Sequence, residues 1–148
     1  MIIQDEEKLL NYLRNAKKIA VIGIKDNYDG PAGKIPRYLL ANGYEVIPIN
    51  PKLEKWLGRK VYKSIDEVEE KVDIVDIFRR SEAVLEHAKE ILRMKYKPNL
   101  VWMQEGIINE EAAKLLSENE IDVVMNKCIY KVHSLFKRRG LLWEEKFL

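Results

Sequence analysis

The chain carries one cysteine, Cys128, and two histidines, His87 and His133. A single thiol excludes a disulfide within the chain and every CxxC metal or redox motif. Neither histidine belongs to an HExxH pattern, and no carboxylate cluster has metal-ligand spacing, so no metal site is expected. Long apolar runs are also missing, and none reaches the length of a bilayer span. The opening residues, Met1-Ile2-Ile3-Gln4-Asp5-Glu6-Glu7, lack the basic-then-apolar order of a signal peptide, and the expected location is the cytoplasm. No excess of one charge is present: 26 Lys and Arg against 24 Asp and Glu leave +2. That balance gives no electrostatic case for a nucleic-acid or membrane partner. The basic cluster Lys137-Arg138-Arg139 suits the C-terminal end of a helix, where the dipole favours cations.

What is present is alternation. Short β-branched runs at Lys18–Ile24, Tyr44–Ile49, Val72–Phe78, Leu100–Met103 and Ile121–Met125 read as five strands, numbered one to five along the chain. Between them lie segments of 3.6-residue period. Leu9, Leu10 and Leu13 mark a leading helix. Ile35, Tyr38 and Leu39 mark a second over Ala32–Asn42, stopped by Gly43, with Pro36 placed in its first turn. Ser64 and Glu67 have capping-box spacing, Ser81 is a candidate cap for the helix through Val84, Ala88 and Ile91, and Asn109 caps the next. Ile129, Val132, Leu135 and Phe136 lie on one face of a closing helix. Strands alternating with helices over 148 residues predict one α/β domain spanning residues 1–148. Its expected form is a doubly wound, five-stranded parallel Rossmann-like sheet, order 3-2-1-4-5, with helices on both faces. Residues 1–16 form its leading helix and residues 129–148 its C-terminal helix and tail.

In such a sheet ligands sit beyond the carboxyl ends of the strands, where the strand order reverses. The first strand runs into a loop holding Gly23, Gly30 and Gly33. It is not GxGxxG, because Lys25 stands at the second glycine position, and it lacks the Walker A spacing. The helix start behind it offers N–H groups to an anion, and Lys25 and Lys34 add charge-assisted contacts. The bland alternative is a solvent-facing turn. The second strand exits through Asn50-Pro51-Lys52. Asn50 suits a ribose hydroxyl or a base edge. Lys52 stands where an NAD site carries an acid, which points to a phosphate on the ribose and so to a nucleotide such as coenzyme A. A rigid turn with a surface lysine would explain the same residues.

Five blocks, all at strand ends, carry a family resemblance. They are Ile19-Ala20-Val21-Ile22-Gly23, Gly43-Tyr44-Glu45-Val46-Ile47-Pro48-Ile49-Asn50-Pro51-Lys52, Val72-Asp73-Ile74-Val75-Asp76-Ile77-Phe78-Arg79-Arg80, Val101-Trp102-Met103-Gln104-Glu105-Gly106-Ile107 and Val123-Val124-Met125-Asn126-Lys127-Cys128. The chain resembles the small CoA-binding proteins, whose single Rossmann-like domain is similar to the CoA-binding domain of the succinyl-CoA synthetase alpha subunit. The resemblance implies that Gly23, Ile24, Lys25 and Asp26 border the pyrophosphate and pantetheine path. It implies Lys52 near the phosphorylated ribose and Phe78 and Arg79 in the adenine or pantetheine wall. Gln104, Glu105 and Gly106 look like the acid–glycine turn after the fourth strand of the synthetase subunit. Ala32 stands where the family often has serine, so a hydroxyl contact to phosphate is lost. The phosphohistidine domain of the synthetase subunit has no counterpart in these residues.

Cys128 follows the fifth strand on the ligand edge. Lys127 beside it favours a thiolate able to exchange with a disulfide, against the ordinary role of a small buried apolar residue. The leading expectation is a protein that binds coenzyme A or acyl-CoA without catalysis of its own. The alternatives are an NADP-linked oxidoreductase, or an acyl-CoA ligase or transferase subunit completed by a partner chain. A CoA-type small molecule is the expected ligand, and a homo-oligomer or partner protein remains open.

Overall fold

The computed structural model of the protein describes residues 1–142; the last six positions of the expected C-terminal tail lie outside the described residues. The elements run α1 (Glu6–Asn15), β1 (Lys18–Ile22), α2 (Pro31–Ala41), β2 (Glu45–Ile49), a hairpin of β3 (Lys55–Trp56) and β4 (Arg59–Lys60), β5 (Ile74–Ile77), α3 (Val84–Leu92), β6 (Leu100–Met103), α4 (Glu110–Glu118), β7 (Asp122–Val124) and α5 (Ile129–Arg138). Five of the strands form one parallel sheet in the order β2-β1-β5-β6-β7.

A sixth position lies outside β2. Tyr62 makes a parallel bridge to Ile49, with its N–H on the Pro48 carbonyl and its carbonyl on the Asn50 N–H, both at 2.9 Å. Counting that position third along the chain, the order reads 3-2-1-4-5, with β7 sixth. The expected pattern is therefore present, but the outer third place belongs to Tyr62. The segment expected there, residues 72–78, supplies β5 and pairs with β1 instead. This matters for the site, because it sets the ends of β1 and β5 side by side at the reversal of strand order.

Both faces of the sheet are covered. One core layer packs Ile19, Val21, Ile74, Leu100, Trp102 and Val124 against α1, α2 and α5. The other packs Ala20, Ile22, Val75, Ile77, Val101 and Met103 against α3 and α4. Alternate residues of each strand thus serve opposite layers, which is why the strands read as continuous apolar runs. The exposed edge of β7 is closed by the N-terminus: Ile3 donates to the Val123 carbonyl at 2.7 Å, and Val123 donates to Met1 at 2.8 Å. An N-terminal strand partner was not foreseen from the sequence. Among the described residues no helix is long and apolar enough to cross a membrane.

Local signals were obeyed unevenly. Asp5 caps α1 by accepting from Glu7, and Asn109 caps α4 by accepting from Ala112 at 2.8 Å. Gly43 ends the second helix with φ of 95°. Ser64 and Glu67 start only a single 3-10 turn, Ile65–Glu67. Ser81 does not cap α3; its hydroxyl accepts from Ile108 at 3.0 Å, tying the loop after β5 to the loop after β6. Asp76, expected at a polar margin, is fully buried in the core layer under β5.

Candidate functional site

The chain leaves β1 through Gly23, which has φ of 84°. A side chain there would place its Cβ 2.4 Å from the Phe78 carbonyl oxygen, so only glycine lets the loop pass this close to the end of β5. The Gly23 N–H is held by the Ile49 carbonyl at 2.9 Å. Two residues on, Lys25 is fixed on both sides of its backbone. Its N–H donates to the Ala32 carbonyl, and its carbonyl accepts the Trp56 indole N–H, each at 3.0 Å. The Lys25 side chain is left exposed over the strand ends.

The second helix explains that clamp. It begins at Pro31, so Pro36 sits in its second turn and not, as expected, in its first. A proline there cannot donate to the Ala32 carbonyl four residues back. Lys25 takes that carbonyl. The loop between them folds over the helix start, where Gly33 is needed because a Cβ would lie 1.7 Å from the Asn27 carbonyl oxygen. Arg37 reaches back from the helix to lock the same loop, donating to the carbonyls of Gly33 at 2.8 Å and Asp26 at 3.0 Å and stacking 4.2 Å over the Tyr28 ring.

The other strand ends are tied just as tightly. The Asn50 amide donates to the Ile24 carbonyl at 2.7 Å and its oxygen accepts the Lys52 N–H at 2.8 Å, so it braces the exit of β2 against β1. Gln104 is buried, and its side-chain oxygen accepts the Ile129 N–H at the start of α5 at 3.2 Å. Gly106, with φ of 85°, donates to Asn126 at 2.7 Å, joining the loops after β6 and β7. The Trp102 indole donates to the Lys127 carbonyl at 2.8 Å. A rigid rim results, built by hydrogen bonds between neighbouring loops.

Two cavities open along this rim. One, of about 590 Å³, is lined by Lys25, Phe78, Arg79, Arg80, Gln104, Glu105, Cys128 and Lys131, with Pro31, Ala32, Ile35 and Ile107 as its apolar walls. The second, of about 410 Å³, is lined by Gly23, Asn50, Pro51 and Lys52. They share Lys25, Phe78, Arg79 and Arg80, and so form one cleft along the ends of β2, β1, β5 and β6. The cleft gathers Gly23, Lys25, Asn50, Pro51, Lys52, Phe78, Arg79, Gln104, Glu105 and Cys128 of the residues expected from sequence. Ile24 is fully buried in the core and Gly33 packs against Asn27, so neither side offers a contact beyond its backbone. Asp26 and Gly106 line neither cavity, and Lys34 faces a separate hollow.

Sequence reasoning missed Ile35, Ile107 and Lys131, and it placed Arg80 at a strand end without giving it a role. Lys131 had a signal: it lies one helical turn beyond Cys128, on the side of α5 that faces the strand ends. Its ammonium contacts the Glu105 carboxylate at 2.8 Å, and that hydrogen bond and charge raise its pKa. Arg80 pairs with Glu82 at 3.6 Å. Among the described residues Lys25, Lys52 and Arg79 form no ion pair, so three uncompensated cations face the cleft. Such a surface attracts an anionic ligand. The same residues gather no group of three or more histidine, cysteine or carboxylate side chains fit for a metal.

The family described as "CoA binding domain" matches residues 17–134. The chain is 37% identical over 125 residues to YneT of Bacillus subtilis (strain 168), covering 84% of this chain and 91% of that protein. It superposes on the structure of cell-free ID.343 from Thermus thermophilus with a TM-score of 0.83 and 37% identity, covering 89% and 98% of the two chains. It also resembles a dinucleotide-forming acetyl-coenzyme A synthetase 1 from Ca. Korarchaeum cryptofilum, solved with phosphate and ADP. There the TM-score is 0.67 and the identity 26%, covering 77% of this chain but 26% of that enzyme.

Proposed function

Since this chain belongs to the CoA binding domain family, we propose that its cleft holds coenzyme A or an acyl-CoA, with the nucleotide at the Lys52 end and the thiol at the Cys128 end. One observation carries the reading: the cleft is continuous from Lys52 to Cys128, with the unpaired cations Lys52, Lys25 and Arg79 along its first part and apolar walls toward Cys128. Lys52 is exposed at the exit of β2, where a ribose phosphate meets it as a point charge. Lys25 and Arg79 flank the middle, which suits a pyrophosphate. Beyond them the walls turn apolar at Pro31, Ile35 and Ile107, which suits the pantetheine arm.

The role is binding and presentation rather than self-contained chemistry. The polar groups of the thiol end are already committed. Glu105 is paired with Lys131, and Gln104 holds the start of α5. Glu105 therefore does not stand ready as a general base, and Gln104, an amide, is not one. NADP also carries a ribose phosphate, but the broken glycine fingerprint and the long loop over α2 leave no short dinucleotide turn.

Thermal unfolding with CoA, dephospho-CoA and NADPH in parallel tests the reading. A ligand that binds only the folded state raises the melting temperature by mass action. CoA is expected to raise it most and dephospho-CoA less, and Lys52→Ala is expected to remove the difference between those two. No shift with CoA at millimolar concentration would reject the function; equal shifts in the parent protein would reject the role of Lys52.

A further inference from the structure

Beside the main cleft lies a hollow of about 460 Å³ that the nucleotide does not need. It is lined by Asp29, Gly30, Pro31, Lys34, Ile35, Tyr38 and Tyr130, between α2 and the first turn of α5. Pro31 and Ile35 also line the main cleft, so the two spaces adjoin at these apolar side chains. Cys128 and Lys131, which bracket Tyr130 in sequence, stand on the main-cleft side of the same helix turn. The hollow therefore begins at the thiol end of the cleft.

Its wall is aromatic and fixed. The Tyr38 hydroxyl lies 2.7 Å from His133 Nδ1, and the two rings meet edge to face at 5.3 Å. Tyr130 meets Tyr38 edge to face, with centroids 4.7 Å apart and planes at 88°. Tyr130 is still 43% exposed, which leaves much of its surface uncovered. An apolar aromatic surface that remains open beside a ligand cleft is suited to a further apolar group of that ligand. Lys34 and Asp29 are exposed at the hollow's rim, and Ile35 is buried at its floor.

We propose that this hollow is an acyl subsite, which receives a compact aromatic acyl group of a CoA thioester lying in the main cleft. The proposal rests on the CoA reading above and adds the class of thioester. The acyl chain leaves the sulfur near Cys128, crosses the Pro31–Ile35 divider and lies against Tyr38 and Tyr130. An aryl ring there completes the edge-to-face set that the two tyrosines begin. An acetyl group is too short to cross the divider and gains nothing.

Titration calorimetry with CoA, acetyl-CoA and phenylacetyl-CoA tests it on the full chain, with Tyr130→Ala and Tyr130→Phe as variants. Phenylacetyl-CoA is expected to bind about tenfold more tightly than CoA, with acetyl-CoA equal to CoA. Tyr130→Ala should erase that advantage and leave CoA affinity unchanged, while Tyr130→Phe should keep it. Saturable CoA binding with no preference for phenylacetyl-CoA overturns the subsite alone. A preference that survives Tyr130→Ala places the acyl group elsewhere and also overturns it. Absence of CoA binding overturns the subsite together with the function on which it rests.

Discussion

Lys25 and Pro36 are joined through one carbonyl. Pro36 has no N–H to give to Ala32, and the Lys25 N–H occupies the vacancy at 3.0 Å. A helix defect thus becomes the anchor of the loop that carries a cation into the cleft. Restoring the donor should undo this. In Pro36→Ala the new N–H competes for the Ala32 carbonyl, and the Lys25 amide should exchange with solvent faster while the fold persists. CoA affinity should fall several-fold. An unchanged Lys25 exchange rate would show that the loop is held by other contacts.

Gly33 and Gly30 form a matched pair for testing the loop. A Cβ at Gly33 would lie 1.7 Å from the Asn27 carbonyl oxygen, whereas at Gly30 nothing lies within 4 Å. Gly33→Ala must push the loop off the helix and should cost about 2 kcal/mol or more. Gly30→Ala should cost about 1 kcal/mol or less, through the weaker helix cap. Denaturant midpoints compare the two, and equal losses would refute the close approach.

Asp76 is fully buried, and neither of its carboxylate oxygens has a hydrogen-bond partner among the described residues. Burial raises its pKa well above the usual 3.8. The sign of the effect follows from proton binding. Between the unfolded and folded pKa values the folded state holds a proton that the unfolded state has released, so stability falls as pH rises above about 4. Asp76→Asn removes this titration. Its melting temperature should exceed that of the parent at pH 7, and the two should converge near pH 4. A variant less stable at pH 7 than the parent would mean that Asp76 is ionised and paired in the folded protein.

Cys128 is half-buried and lines the thiol end of the cleft. We predict exchange with oxidised CoA: the Cys128 thiolate attacks one sulfur of the CoA disulfide, that bond breaks, and one CoA thiolate leaves. Intact-mass spectrometry of the folded protein should show one CoA adduct, reversed by dithiothreitol and absent in Cys128→Ser. A folded parent protein with no adduct would leave Cys128 a packing residue.

The sheet and most of the cleft were legible in the sequence because the signals there are local. A β-branched run that ends in Gly23, or in Asn50-Pro51-Lys52, marks both a strand and its ligand end. Contacts that join distant segments left no such mark. Tyr62 completes the sheet with one bridge, too short for a periodicity to register. Met1 and Ile3 pair with the far edge through backbone bonds, which any residue supplies. Asp76 reads as polar in any pattern count, yet it points into a core layer because strand alternation places it beside Val21 and Trp102. Pro36 was placed one turn early: it is fifth even in a helix that begins at Ala32, and sixth in the observed helix, which begins at Pro31 behind a glycine cap that has no side chain to announce it. Lys131 entered the cleft through helix phase, which the strand-end rule does not specify.

The central claim is that one cationic cleft along the ends of β2, β1, β5 and β6 binds CoA. Amide chemical shifts followed while CoA is titrated into labelled protein test it most directly. The account predicts saturable shifts at Gly23–Lys25, Lys52, Phe78–Arg80, Gln104–Gly106 and Cys128, and none at Lys71 or Asn99 by the opposite, amino ends of the strands. No saturable change up to millimolar CoA, or changes centred on those amino ends, would contradict it.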